Sequence, residues 1–250
     1  MNQYSLEIVK GTAEYVVKEI KEKFEDIHIS CDSPTHISIL SNIDAIDQFR
    51  VLLSPLRISN EVGIVRNLFR REWRTATSPA GINPSLAYIM NQITDIKSTD
   101  TVLDPFCGGG TIPITSYLYF SAKKVFGSDI SGKAIDIVEK NLKNITYNKS
   151  DLIIFKSGVN NLKLRPNTID KIVTNLPFGI RTGDHKKNVI TYRNFVLKCE
   201  QLIKLNGKIC ILTQEKKLIR EVFQNSTFKI INSIDIEQGG LTPSIFVYRK

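Results

Sequence analysis

The chain of 250 residues is poor in the residues that mark secreted, metal-binding and membrane proteins. Its few cysteines and histidines are Cys31, Cys107, Cys199, Cys210, His28, His36 and His185. The cysteines show no short paired spacing, so neither a disulfide framework nor a zinc site is predicted. No apolar run approaches the roughly 18 residues that a membrane span needs, and residues 1–7 lack the features of a targeting peptide. We therefore expect a cytoplasmic protein with no metal and no membrane partner.

The charge is unbalanced toward the basic side. Lysine and arginine total 34 against 25 aspartate and glutamate, which gives a formal net charge of +9. Such an excess favours a polyanionic partner, because basic side chains neutralise phosphates and release counterions. Many basic proteins bind no nucleic acid, so the charge alone leaves the partner open.

The first 58 residues predict a small α+β unit. Apolar alternation indicates strands at 4–8, 27–31 and 36–40, and one helix is expected to begin at Thr12. A second helix is expected after Asp44, and it should stop before Pro55 because proline excludes the preceding residue from the helical region. Residues 59–81 are predicted to be a linker.

Residues 82–250 predict a second, larger domain in which strands and helices alternate. Predicted strands are 101–106, 124–130, 152–156, 171–175, 208–213, 228–236 and 244–249. Helices are expected to begin near Asn83, Gly110, Ser131, Val189 and Glu215. This alternation is typical of a Rossmann-like α/β fold, with a seven-stranded, mostly parallel sheet and an antiparallel C-terminal strand.

A glycine-rich turn follows the first strand of this domain, at residues 104–111, DPFCGGGT. Gly108 and Gly110 permit backbone angles and close approach that a Cβ would block, and the amides at the helix start can face a carboxylate. Asp104 can hold a cationic group, and Asp129, about 20 residues onward, can accept ribose hydroxyls. This arrangement favours S-adenosylmethionine over a ligand-free turn. A dinucleotide is disfavoured, because the spacing is not G-x-G-x-x-G.

We predict that several residues at the ends of successive strands contact this cofactor. They are Asp104, Phe106, Gly108, Gly110, Thr111, Asp129, Ile130, Asn160 and Asn175.

Residues 175–179, NLPFG, end the fourth strand of the domain with an amide, a proline and an aromatic ring. The Asn175 side-chain oxygen and the carbonyl of Leu176 or Pro177 can accept hydrogen bonds from an exocyclic amine and aim its lone pair at the methyl donor. No strong base is needed, because catalysis then rests on orientation and on an activated donor. Phe178 offers a face for stacking the base. These four residues, 175–178, are the predicted catalytic set, and a strand-ending turn without function is the alternative.

Basic residues flank this motif in sequence and in the predicted linker. Phe178, Arg181, Arg70 and Arg74 are the candidate substrate contacts. Arg66, Arg70 and Arg74 follow helical i, i+4 spacing, which equally fits an exposed basic helix face.

From Leu68 onward the chain resembles the THUMP-associated, UPF0020-like RNA methyltransferases, in particular the tRNA guanine-N2 branch. The residues that carry the resemblance are 104–111, 174–179 with Arg181, 239–247 (GGLTPSIFV) and 70–74 (RREWR). It implies a class I methyltransferase that uses S-adenosylmethionine, and for residues 1–58 a ferredoxin-like domain. It also implies transfer to guanine N2 in tRNA, with rRNA as the second RNA target.

The chain departs from the family pattern in two places. The THUMP module is absent before Leu68, so RNA must be gripped in another way, for example by an accessory RNA-binding subunit. The acid expected after the third strand is replaced by residues 157–161, SGVNN, so either Asn160 contacts the adenine or cofactor binding is weaker. Adenine-N6 or protein glutamine methylation, or a non-catalytic RNA-binding pseudoenzyme, are the remaining alternatives.

Overall fold

The protein, described here from a computed structural model, consists of two sheets with helices packed against them. The structure describes residues 1–78, 81–178, 185–237 and 240–250. Within those ranges, no helix combines the length and apolar character needed to cross a bilayer.

The N-terminal sheet is antiparallel and has five strands in the order β2-β3-β1-β4-β5. Its elements in chain order are β1 (Asn2–Glu7), α1 (Ala13–Lys23), β2 (His28–Ser33), β3 (His36–Ser41), a 3-10 helix (Ile46–Val51), β4 (Arg57–Asn60) and β5 (Val65–Asn67). The apolar stripe of α1 buries Val16 and Ile20 completely against the sheet. Strands β1 to β4 have the ferredoxin-like order that the resemblance implied.

Two sequence predictions for this region are corrected by the structure. The second helix is a single 3-10 segment that ends at Val51. Beyond it the buried carboxylate of Glu19 accepts the backbone amides of Leu53 and Ser54, both at 2.8 Å, so Leu53 does not continue the helix. The predicted boundary at residue 58 falls inside β4, and β5 lies in the predicted linker. Strands of three or four residues are too short to give a readable alternation.

The C-terminal sheet has seven strands in the order β11-β12-β10-β9-β6-β7-β8. Its helices are α2 (Pro84–Thr94), α3 (Thr111–Phe120), α4 (Gly132–Leu142), α5 (His185–Leu202) and α6 (Lys216–Phe223). Its strands are β6 (Thr101–Asp104), β7 (Lys124–Asp129), β8 (Leu152–Lys156), β9 (Ile169–Asn175), β10 (Ile203–Thr213), β11 (Lys229–Asp235) and β12 (Ser244–Arg249). Strand β12 is antiparallel to both neighbours, β10 and β11, so the predicted Rossmann-like fold is confirmed.

The order of strands reverses between β6 and β9, and this reversal positions the site. The chain passes from β6 to β7 and β8 on one side, and then returns to place β9 on the other side of β6. Strands β6 and β9 pair in parallel, with Leu103 opposite Ile172, so their carboxyl ends are neighbours. Ligands of open α/β sheets bind in the crevice at such a point.

Candidate active site

A buried carboxylate marks the end of β6. Asp104 is 1% exposed, and it accepts hydrogen bonds from the Thr174 hydroxyl at 2.7 Å and from the Phe106 amide at 3.1 Å. Burial, with a smaller contribution from the charge of Asp129, raises the pKa of Asp104 to about 7. No lysine or arginine in the described ranges forms an ion pair with it. A bound ammonium group would therefore stabilise this carboxylate.

The glycine turn after Asp104 has open space on one side and tight packing on the other. Gly108 and Gly110 have φ values of +51° and +81°, which side chains rarely adopt. A Cβ on Gly110 would lie 2.8 Å from Val138 Cγ1, whereas a Cβ on Gly108 would meet no described atom within 4 Å. Gly108 therefore borders room for a ligand, and Gly110 is required for α3 to approach α4.

The ends of β7 and β8 lie beside this turn. Asp129 accepts the amides of Gly108 at 3.0 Å and Ser131 at 2.8 Å, one on each carboxylate oxygen. Each oxygen keeps a second lone pair that a ribose hydroxyl can use. Ile130 is 75% exposed despite being apolar, and its side chain lies against Gly158. Asn160 is exposed on the short 3-10 helix Val159–Asn161. The four predicted strand ends thus meet on one edge of the sheet.

Asn175 presents a buried acceptor that no described residue satisfies. Its Oδ1 atom is buried and has no hydrogen-bond partner among the described residues. Leaving a buried acceptor unpaired costs about 1–3 kcal/mol. Asn175 follows Thr174 directly, so the unpaired acceptor lies one residue from the side chain that contacts Asp104. A substrate amine at this position would supply the missing donor.

The backbone after Asn175 is held by residues that the sequence analysis did not identify. The Leu176 amide donates to the Leu212 carbonyl at 3.0 Å. The Pro177 carbonyl accepts from the Tyr192 hydroxyl at 2.9 Å and from Asn188 Nδ2 at 3.3 Å. Both lone pairs of the Pro177 oxygen are therefore used. Of the two carbonyls proposed to accept the amine, that of Pro177 is therefore occupied, and that of Leu176 is the remaining candidate.

Tyr192 belongs to a buried polar chain. Because the Pro177 carbonyl can only accept, the Tyr192 hydroxyl donates to it, and the Thr213 hydroxyl donates to Tyr192 at 2.7 Å. Thr213 in turn accepts the Glu215 amide at 3.0 Å. Burial raises the pKa of Tyr192, so the donor stays protonated. Apolar periodicity identifies position 192 only as core, which is why sequence reasoning missed it.

Two aromatic residues of the predicted set differ in their packing. Phe106 packs edge-on against Phe195 of α5, with ring centroids 5.9 Å apart. Its backbone amide, rather than its ring, is the part that contacts Asp104. Phe178 is half-buried against the core cluster around α2 and β6, which leaves part of its ring accessible.

The arginines of the predicted basic series do not share a helix. Arg66 lies in β5 and pairs with Asp47 at 3.0 Å. Arg70 and Arg74 lie in the irregular segment before α2, and Arg74 Nε donates to the Thr111 hydroxyl at 3.2 Å. The helical spacing was therefore misleading, since pairing of β4 with β5 decides the local structure. Arg181 lies outside the described residues.

Comparison with known proteins decides the family. A family model described as UPF0020, RMKL-like, methyltransferase domain, matches residues 71–243. The chain belongs to this methyltransferase family. The matched range begins close to Leu68, where the resemblance was predicted to start, and it fits a form without a THUMP module. All predicted catalytic and cofactor residues fall within it.

Two archaeal relatives match almost the whole chain. The tRNA (guanine(6)-N2)-methyltransferases of Methanocaldococcus jannaschii and Archaeoglobus fulgidus are each 23% identical to it and cover 98% of its length. The chain spans 72% of the first relative and 66% of the second. Family membership and these names confirm the predicted enzyme class.

Solved structures confirm the fold across both sheets. TrmN from Thermus thermophilus is 15% identical, with a TM-score of 0.87 and complete coverage of both chains. SMU.472, solved in complex with SAH, is 13% identical, with a TM-score of 0.80, and the match covers 98% of this chain and 97% of the other. At these identities the likeness concerns the fold.

Proposed function

We propose that the protein transfers a methyl group from S-adenosylmethionine to the exocyclic N2 amine of a guanine in tRNA. The observation that carries this proposal is the buried Oδ1 of Asn175, which has no hydrogen-bond partner in the described part of the chain and lies at the switch point of a methyltransferase sheet. The printed names of the archaeal relatives, both tRNA guanine-N2 methyltransferases, support the substrate. A tRNA substrate also supports a cytoplasmic location.

The residues around the glycine turn fit the cofactor. Asp104, desolvated and without a cationic partner among the described residues, suits the ammonium of the methionine part. The open side of Gly108 leaves room for the ligand, and Asp129 retains acceptor capacity for the ribose. Exposed Ile130 offers an apolar surface for the adenine, and Asn160 is an exposed polar side chain in segment 157–161, which replaces the family's acid. S-adenosylmethionine supplies an activated methyl group when bound.

The base is held by two acceptors and a ring. Asn175 Oδ1 and the Leu176 carbonyl each accept one N–H of the guanine amine. The nitrogen lone pair, otherwise delocalised into the ring, is thereby directed away from both acceptors and toward the methyl donor. Catalysis is then mainly a matter of proximity and orientation.

The free-energy cost of extracting the guanine from its base stack must be offset by contacts with the protein. Flipping a base costs a few kcal/mol, and stacking on an aromatic side chain returns roughly 1–3 kcal/mol per base. The half-buried ring of Phe178 is the stacking surface in this proposal. The polar chain through Tyr192 keeps the motif rigid, so that little further ordering is needed when the base arrives.

We propose that the two sheets belong to separate domains. We assign the five-stranded unit, extended to residue 67, to an N-terminal domain and residues 82–250 to the catalytic domain. No THUMP module separates the two sheets in this sequence, and we propose that these two parts, or an accessory subunit, contact the RNA.

The test is product analysis. Full-length protein is incubated with labelled S-adenosylmethionine and an unmodified tRNA transcript, and the digested nucleosides are separated by mass. N2-methylguanosine is the expected product. Asn175→Ala should reduce transfer at least about a hundredfold, as loss of one aligned polar contact does elsewhere, while calorimetric affinity for the cofactor changes less than about twofold. Wild-type turnover in this variant, or a different methylated nucleoside, would contradict the proposal.

A further inference from the structure

Beside the start of α2 lies a cavity of about 260 Å³ that is lined mainly by arginines. Its lining residues are Phe69, Arg70, Arg71, Arg74 and Pro84. We propose that this cavity binds a backbone phosphate of the RNA substrate, an inference that rests on the proposed function.

The three guanidinium groups lack the direct carboxylate ion pairs that Arg57 and Arg66 form, although the charge of Glu19 acts on Arg71 from nearby. Arg57 pairs with Glu7 at 2.9 Å and Arg66 with Asp47 at 3.0 Å. In the described part of the chain, none of the three cavity arginines forms an ion pair with a carboxylate. Concentrated positive charge in a partly desolvated place is stabilised by an anion.

Two of the arginines are held in position before any ligand binds. Arg71 is 9% exposed, donates to the carbonyls of Leu53 at 2.7 Å and Leu68, and has its pKa lowered by burial. Arg74 donates to Thr111 at 3.2 Å and to the Ile82 carbonyl at 3.3 Å. These guanidinium groups need little ordering when an anion arrives, which reduces the cost of binding.

Arg70 completes the site as an exposed contact. It is exposed, and its side chain makes no hydrogen bond to the residues that the structure describes. It can therefore turn toward a phosphate, to which a guanidinium binds in bidentate fashion. The neighbouring Phe69 is half-buried and offers a ring edge or face for an adjacent base.

The size and place of the cavity favour a phosphate of the substrate over the cofactor carboxylate. Its volume is below the about 300–1,000 Å³ typical of small-molecule sites, and its lining includes no residue of the glycine turn or of the β7 end. Arg74 nevertheless contacts Thr111, the first residue of α3, so the cavity lies next to the catalytic edge. An RNA strand whose target base enters the site passes close to it.

The test measures how RNA affinity depends on salt. Each phosphate contact contributes about 0.7–0.9 to the slope of log affinity against log salt. Arg70→Ala should lower the slope for an unmodified tRNA transcript by about that amount, which is about fivefold in affinity at 0.1 M salt. Arg70→Lys should largely retain the slope. Arg165→Ala is the matched control, because Arg165 is an exposed arginine that precedes β9 and so lies toward the opposite edge of the sheet.

Two results would overturn the inference. One is an equal slope in Arg70→Ala and Arg165→Ala. The other is a loss of calorimetric affinity for S-adenosylmethionine in Arg70→Ala with RNA binding unchanged, which would assign the cavity to the cofactor. Since the readout is binding, either result leaves methylation by the wild type intact, whereas absence of N2-methylguanosine from the wild-type reaction would instead contradict the proposed function.

Discussion

The Thr174 hydroxyl donates a 2.7 Å hydrogen bond to the carboxylate of Asp104. Both side chains are buried, and they join the ends of β9 and β6 across the switch point of the sheet. Thr174 is followed by the amide proposed to hold the base, and Asp104 begins the turn proposed to hold the cofactor. One contact therefore sets the position of the two halves of the site relative to each other.

Replacing Thr174 by valine should weaken cofactor binding and shift its pH dependence. The hydrogen bond from Thr174 lowers the pKa of Asp104, so its removal raises a pKa that is already about 7. The carboxylate would then be ionised, and able to attract an ammonium, only at higher pH. Calorimetric titration with S-adenosylmethionine between pH 6 and 9 should show the affinity of Thr174→Val recovering at a higher pH than that of the wild type.

Thr115→Val provides the control for this experiment. Thr115 is also a buried threonine, but its hydroxyl has no hydrogen-bond partner among the described residues. We expect unchanged cofactor binding and unchanged or increased stability in this variant. An identical pH profile in Thr174→Val and Thr115→Val would argue against a role for the Thr174 contact.

Asp104→Asn should stabilise the fold while weakening cofactor binding. The pKa of Asp104 is near 3.9 in the unfolded chain and about 7 in the folded protein, where burial is the main cause. The folded state therefore binds more protons between these values, and the contribution of Asp104 to stability falls as the pH rises through this window. Asparagine can still accept from Thr174 and Phe106.

Thermal unfolding at two pH values checks this prediction. At pH 8 the variant should melt at least about 3 °C above the wild type, and the difference should shrink toward pH 5. A lower Tm at pH 8 would mean that the charged carboxylate is compensated in the folded protein.

Tyr192→Phe should reduce turnover more than cofactor affinity. The change removes the donor to the Pro177 carbonyl and leaves the Thr213 hydroxyl, which still accepts the Glu215 amide, without an acceptor for its proton, at a cost of about 1–3 kcal/mol in stability. The carbonyl keeps only the longer contact from Asn188, so the base-binding motif is held less firmly. We expect kcat to fall while the KM for S-adenosylmethionine stays within about twofold.

Tyr248→Phe is the corresponding control. The Tyr248 hydroxyl is buried without a hydrogen-bond partner among the described residues, so its removal should leave kcat unchanged and the protein equally or more stable. A loss of stability in Tyr192→Phe with full kcat would restrict Tyr192 to a structural role.

Alanine substitutions at Gly108 and Gly110, which both have a positive φ, should distinguish an effect on stability from an effect on ligand binding. Gly110→Ala places a methyl group 2.8 Å from Val138 Cγ1, at a φ of +81°, and should strongly destabilise the protein. Gly108→Ala meets open space, so its cost to stability is about 1–2 kcal/mol for the left-handed backbone alone. Its methyl group should nevertheless lower cofactor affinity, measured by calorimetry on the folded variant. Unchanged affinity in Gly108→Ala would place the ligand elsewhere.

Patterns that are complete within a short stretch of chain were read correctly from the sequence. The helix cap at Asn83 is an example. Asn83 directly precedes Pro84, the first residue of α2, and its side chain accepts a hydrogen bond from the Ser85 amide at 2.8 Å. The glycine turn and the strand ending in Asn175 are equally local. The i, i+4 series of arginines did not indicate a helix, since Arg66 lies in strand β5 and pairs with Asp47, 19 residues away. Strands β4 and β5 are too short to be recognised from apolar alternation.

The sequence by itself determined the order of strands and helices in residues 82–250, the family, and the residue types at the strand ends, because each depends on local propensity and on motifs of a few residues. Only the tertiary structure decided that the Pro177 carbonyl is occupied by Tyr192 and Asn188, that Asp104 is coupled to Thr174, and that Asn175 Oδ1 has no partner among the described residues. Hydrogen bonding and burial depend on which distant segments meet when the sheet closes, and spacing along the chain does not encode that.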